Sequence, residues 1–254
     1  MAVAGESYGY PSIRLSAYFS PMKLVLFDID GTLLWTDGAG RRAIKHALET
    51  VAGTAGPVDS YRLDGKTDPQ IVSDLLSLAG HRGADDAALA DAVCRRYIDL
   101  LAQELERSPH TARLLPGVAE LLAGLEPHEA AGRALVGILT GNLASGAALK
   151  LRAAGVDPAR FAVGAYGSDS GRRADLPAIA LERAAARTGR RLAGGDAVIV
   201  GDTPADVACG RPIGALSLAV ATGYYDVAAL RASGATHVFA TLADTAAVLD
   251  ALLA

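Results

Sequence analysis

Hydrophobic and polar positions divide the chain into two regimes. Lys23-Leu24-Val25-Leu26-Phe27 is a short apolar run rich in β-formers, and it predicts a buried strand. From about Ala39 to Ala112 the apolar positions recur at helical spacing. Three helical pieces, Arg41–Val51, Gln70–Leu78 and Ala87–Glu106, are separated by glycine, proline and aspartate-rich breaks. Pro116 then opens a helix over Gly117–Leu125. Beyond it the period changes. Leu135–Leu139, Ala197–Val200, Leu216–Val220 and His237–Phe239 predict strands, and Phe161–Tyr166 carries a weaker strand signal. Helices running through Leu151, over Pro177–Arg187 and near Ala205–Cys209 fall between them.

Strands alternating with helices predict an α/β fold, a Rossmann-like parallel sheet core with helices on both faces. The helical block after the first strand is too long for an ordinary crossover, so it is expected to be an inserted, all-helical cap domain. The implied organisation is an N-terminal extension over 1–21, a core built from 22–37 plus 113–254, and a cap over 38–112.

Composition narrows the function classes. A 51% hydrophobic, 20% charged chain of 254 residues has the balance of an ordered, soluble protein. A net charge of −4 supplies no global attraction to nucleic acid or to an acidic membrane surface, so neither is an expected partner. No window approaches the ~18 continuous apolar residues of a membrane span. Residues 1–20 do not resemble a secretory signal. Cys94 and Cys209 lie far apart without metal-ligand spacing; they are expected to be buried thiols in a reducing cytoplasm. His46, His81, His110, His128 and His237 show neither pairing nor metal spacing.

Chemistry concentrates where strands end. The first strand delivers Asp28-Ile29-Asp30-Gly31-Thr32, two carboxylates two residues apart at a strand mouth. Buried carboxylates are costly unless paired, hydrogen-bonded or bound to metal. Two later strands end in Thr140-Gly141-Asn142 and in Asp202 with Asp206. Each cluster alone fits a helix N-cap. Together they converge, because open α/β sheets bind ligands outside the carboxyl ends of their strands.

The segments Asp28-Ile29-Asp30-Gly31-Thr32, Leu139-Thr140-Gly141-Asn142 and Gly201-Asp202-Thr203-Pro204-Ala205-Asp206 resemble the first, second and fourth motifs of the haloacid dehalogenase-like (HAD) hydrolase superfamily. With its helical insertion after the first motif, the chain is similar to the branch of phosphoglycolate phosphatase and β-phosphoglucomutase. The resemblance implies that Asp28 is a nucleophile forming an aspartyl-phosphate and that Asp30 is the general acid and base. It implies Mg²⁺ held by Asp28, the backbone carbonyl of Asp30 and Asp202, with Asp206 ligating through water or orienting the others. Thr140, Gly141 and Asn142 would cradle the phosphoryl oxygens. The superfamily usually places a Lys before the final motif. This chain has Gly171-Arg172-Arg173-Ala174-Asp175-Leu176 instead, and Arg173 is the expected phosphate-bridging cation, with Arg172 in reserve.

In the cap, Leu63-Asp64-Gly65-Lys66-Thr67-Asp68 is a polar break where Lys66 or Thr67 would contact substrate. A solvated helix start, capped by Thr67 or Asp68, accounts for the same residues. Trp35 is expected as a packing anchor at the cap hinge, with Gly38 and Gly40 permitting motion. The expected activity is Mg²⁺-dependent hydrolysis of a small phosphorylated metabolite. A phosphomutase or pyrophosphatase would share every residue named here, and a non-catalytic ligand-binding protein on the same fold is the competing class. Asp30 argues against a dehalogenase, whose leaving halide needs no proton; the same carboxylate disfavours a phosphonate hydrolase.

Overall fold

The computed structural model describes residues 22–107 and 112–254; the proposed extension over 1–21 and His110 lie outside the described residues. The chain begins with β1 (Lys23–Phe27), β2 (Leu34–Trp35), α1 (Ala39–Ala52), α2 (Asp68–Leu78), α3 (Ala87–Arg107) and β3 (Arg113–Leu114). It continues through α4 (Val118–Ala130), β4 (Ala134–Thr140), α5 (Ala144–Ala153), β5 (Val163–Tyr166) and α6 (Leu176–Thr188). The last elements are β6 (Ala197–Gly201), α7 (Pro204–Cys209), β7 (Leu216–Val220), α8 (Val227–Ala232), β8 (His237–Phe239) and α9 (Thr245–Leu253).

Six strands form one parallel sheet in the order β5-β4-β1-β6-β7-β8. Alternate side chains of a strand point to opposite faces. Val25 and Phe27 of β1 accordingly join a core with α4 and α9, whereas Leu24 and Leu26 join a second core with α6. An apolar run of this kind belongs in a sheet covered on both sides. Phe27 pairs with Ile138 of β4 and with Val200 of β6, so the three strands end at nearly the same level. From this centre β4 and β5 extend one way and β6, β7 and β8 the other, which opens a crevice above β1.

Helices α1, α2 and α3 build a core of their own from Ile44, Leu48, Leu75, Leu76, Tyr97 and Leu101. Each fully buried aliphatic side chain of this kind contributes roughly 1.5–3 kcal/mol. The segments entering and leaving this unit pair as a two-residue antiparallel ribbon, Leu34 with Leu114 and Trp35 with Arg113. Leu143 and Leu149, from the α5 region of the sheet layer, pack against the helical unit. Among the described residues no helix is long and apolar enough to cross a membrane.

The helical unit meets the sheet layer along a polar seam. Thr67 caps α2, its Oγ1 accepting from Gln70 N at 3.2 Å while donating to the Gly171 carbonyl at 2.7 Å. Asp68 N donates to the Gly141 carbonyl at 2.8 Å, and the Asp68 carboxylate accepts from Leu143 N at 2.8 Å. Gly141 is required for this contact, since a Cβ there would lie 1.9 Å from the Lys66 carbonyl oxygen. Burial pushes the Asp68 carboxyl up to about 6, with Lys150 and the Leu143 N–H opposing and Asp30 adding to the shift.

Two outcomes are expected. Gly141→Ala forces the seam apart and lowers stability by about 1–3 kcal/mol in urea unfolding. Gly171→Ala, at a position with open space around it, stays within about 0.5 kcal/mol. The second concerns pH. Native Asp68 holds its proton up to about 6, whereas an unfolded Asp releases it near 3.8. Stability from this group is therefore present at low pH and lost as pH rises through that window. Asp68→Asn removes the loss, so melting temperatures taken from pH 4 to 7 shift in favour of the variant, by an amount on the order of 2–3 kcal/mol at most.

Candidate active site

The crevice above β1 is built by three chain turns. After Asp28 the backbone folds back on itself, with Leu33 N and Leu34 N both donating to the Ile29 carbonyl at 2.9 and 3.1 Å. Gly31 takes φ +80° in this turn, and a Cβ there would stand 2.5 Å from the Asp202 carboxylate. Thr32 Oγ1 donates to Asp202 Oδ1 at 3.2 Å. The strand-one turn and the strand-six turn are thereby locked together.

Carboxylate oxygens of Asp28, Asp202 and Asp206 lie within 4.8 Å of one another, and all three residues are buried. Arg173, also buried, pairs with Asp28 Oδ1 at 3.3 Å and makes a close ion pair with Asp206. Burial pushes the Asp28 carboxyl up to about 6; Arg173 opposes this while Asp206 and Asp30 add to it. Burial, then Asp206 and Asp28, raise Asp202 well above the usual carboxylate range. Burial alone would weaken the Arg173 guanidinium, but Asp206 and Asp28 outweigh it and hold the charge more firmly than usual. Three carboxylates against one guanidinium leave net negative charge in a low-dielectric site. Hard oxygen donors so arranged fit a divalent cation.

Asp206 differs from its two neighbours. It forms a capping box at the start of α7, with Oδ2 accepting from Thr203 N at 3.0 Å and from Thr203 Oγ1 at 2.7 Å. The helix-cap reading of Asp206 is met by these bonds, and its remaining oxygen goes to Arg173. Arg172, the reserve cation, is exposed and pairs with Asp175 at 2.7 Å, away from the acidic cluster.

The polar groups of the second motif bond to one another and to Asp30. Thr140 Oγ1 accepts from Asn142 N at 3.3 Å and from Asn142 Nδ2 at 2.8 Å. Asn142 Nδ2 also donates to Asp30 Oδ2 at 2.8 Å, so its amide is committed to Asp30 and Thr140. Gly141 carries the seam to Lys66 and Asp68. Lys66 lines the cavity but is paired with Asp74 at 3.2 Å and lies over the Tyr61 ring. Thr67 does not line the cavity; its hydroxyl is used at the seam.

The cavity, about 150 Å³ and partly open to solvent, is bounded by Asp28, Asp30 and Arg173 on the sheet side and by Lys66, Asp68 and Tyr97 on the helical side. At its mouth Trp35 meets Tyr224 edge-on with ring centroids 6.0 Å apart. Arg62 stacks over Tyr224 and Tyr225 at 5.1 and 5.2 Å, extending the anchor role expected of Trp35 into an aromatic wall. Sequence reasoning missed Asp68, Tyr97 and Lys150 as lining residues. Asp68 stood in the polar break already singled out, whereas Tyr97 and Lys150 sit inside helices without a local signal.

A family model for haloacid dehalogenase-like hydrolases matches residues 25–211. No match was found among curated protein sequences. Among solved structures, a hydrolase from Pseudomonas syringae superimposes with a TM-score of 0.70 at 22% identity, covering 92% of this chain and 100% of that one. CbbY from Rhodobacter sphaeroides in complex with phosphate gives 0.67 at 20% identity over 88% of this chain and 96% of its own. A predicted phosphoglycolate phosphatase from Haemophilus somnus gives 0.66 at 21% identity over 91% and 99%. At such identities the likeness speaks for a shared fold. The family match, spanning most of the chain and all three acidic and polar strand ends, is decisive: this protein belongs to the haloacid dehalogenase-like hydrolases.

Proposed function

We propose that the protein is a Mg²⁺-dependent phosphatase acting on a small phosphorylated metabolite through a covalent aspartyl-phosphate. The observation that carries this reading is the meeting of Asp28, Asp202 and Arg173 at one strand mouth. Asp28 is the nucleophile: one of its oxygens bonds to phosphorus as the bond from phosphorus to the leaving oxygen breaks. Asp30 gives a proton to the departing alkoxide, then takes one from the water that cleaves the acyl phosphate, which regenerates Asp28 and releases inorganic phosphate. Arg173 spans nucleophile and phosphoryl group. Its Nε is buried without a hydrogen-bond partner among the described residues, and a phosphoryl oxygen would satisfy it.

Asp28 and Asp202 would hold the cation, together with the carbonyl of Asp30. When bound, Mg²⁺ offsets the repulsion between carboxylate and phosphate dianion. Asp206 then serves mainly by fixing Arg173. The Thr140 hydroxyl accepts from Asn142 and keeps its own proton for a phosphoryl oxygen. A small concave cavity between sheet and helices favours a small organic phosphate over a protein or nucleic acid. Membership of the family and a structural neighbour solved with xylulose 1,5-bisphosphate support the same substrate class. Cys94 and Cys209 are free, buried thiols, as a cytoplasmic enzyme would have.

Phosphate release from a panel of phosphorylated sugars, glycolate, nucleotides and pyrophosphate tests the proposal. Activity should vanish on chelation and return with Mg²⁺. Asp28→Asn should fold normally and turn over at background level; wild-type rates in that variant would remove the nucleophile assignment. Asp30→Asn should slow alkyl phosphates on the order of 10²–10⁴-fold while sparing activated aryl phosphates. Equal losses on both would exclude Asp30 as the proton donor.

A further inference from the structure

One buried cation in the cavity has no part in the chemistry above. Lys150 projects from α5 with its side chain only 5% exposed. A buried ammonium persists only where charge and hydrogen bonds replace water. Here Nζ donates to Asp30 Oδ2 at 2.6 Å and to Asn142 Oδ1 at 2.6 Å. Asn142 Nδ2 donates to the same Asp30 oxygen at 2.8 Å. Two donors from different elements therefore converge on Oδ2. Asp30 Oδ1 has no hydrogen-bond partner among the described residues, and the Asp30 side chain, 39% exposed, lines the cavity.

The path of Lys150 is kept open by α1. A Cβ at Gly40 would already touch Nζ at 3.5 Å and the Tyr97 hydroxyl at 3.6 Å, so a larger side chain pointing there would displace the ammonium. A carboxylate held by one amide alone retains a broad torsion about its last bond. An ion pair arriving from a second direction removes that freedom.

We propose that Lys150 is the positioning residue of Asp30: with Asn142 it pins one carboxylate oxygen and turns the other toward the leaving group. The inference rests on the phosphatase reading of the site. Lys150 does not touch Asp28 or the acidic cluster and acts only through Asp30. A misplacement of about 1 Å in a reacting group can cost 10²-fold in rate, which sets the scale of the effect.

The test compares Lys150→Met, Asp30→Asn and the double variant on an alkyl phosphate and on p-nitrophenyl phosphate. Lys150→Met should lower kcat for the alkyl ester by about tenfold or more, change kcat for the aryl ester by less than about threefold, and leave KM nearly constant. Added to Asp30→Asn, it should have no further effect. Equal losses on both esters, or additive losses in the double variant, would overturn the assignment. Should Lys150→Met fail to fold, Lys150→Gln, which keeps a donor without the charge, is compared in the same way. If the wild-type protein hydrolyses neither ester, the phosphatase reading fails, and a crystal structure of Lys150→Met decides the clamp by itself. Asp30 rotated away from its position here supports it; Asp30 unmoved on Asn142 overturns it.

Discussion

The structure turns on a charge imbalance. Asp28, Asp202 and Asp206 are buried beside a single guanidinium, and no rearrangement of hydrogen bonds makes that arrangement neutral. Burial raises the Asp28 and Asp202 carboxyls above their ordinary range. A buried acidic cluster of this kind has the donor set that a cation requires. The backbone is shaped around the same need. Gly31 brings the first turn against Asp202 at a distance no side chain permits, and Thr203 locks Asp206 by capping α7.

The parallel sheet supplies the geometry. Because β1, β4 and β6 are in register, the residues just beyond them open into one crevice although more than a hundred residues separate the first turn from the second. Each turn performs two tasks. The β1 turn offers Asp28 to Arg173 and Asp30 to Asn142 and Lys150. The β4 turn supplies Asn142 to Asp30 while Gly141 receives the backbone of the helical unit. Chemistry and closure are consequently not separable at this turn.

Much of this was legible in the sequence because the informative signals are local. An apolar run followed by Asp-x-Asp-Gly, and a Thr-Gly-Asn after a second run, mark strand ends by composition alone. The three helices between β2 and β3 were legible from periodicity, and they occur at Ala39–Ala52, Asp68–Leu78 and Ala87–Arg107. Features made by distant partners were not. The ribbon of Leu34 with Leu114 has two residues per strand and leaves no pattern. Helices α8 and α9 are short, capped by Asp226 and Asp244, and leave no periodic signal long enough to read. Lys150 looks like any polar helix position until the fold brings Asp30 beside it. The bonds from Asn142 to Asp30 and Thr140 likewise depend on neighbours that only the folded chain supplies.

The ribbon of β2 and β3 constrains how the cavity is entered. Both connections to the helical unit run side by side and are hydrogen-bonded to each other, so a single narrow ribbon carries the chain into that unit and back. Three further bonds, from Thr67 to Gly171, from Asp68 to Gly141 and from Leu143 to Asp68, join the same two parts. Two of these three bonds use the side chains of Thr67 and Asp68, and Asp68 also lines the cavity, so one residue both fastens the seam and faces whatever occupies the space beside it.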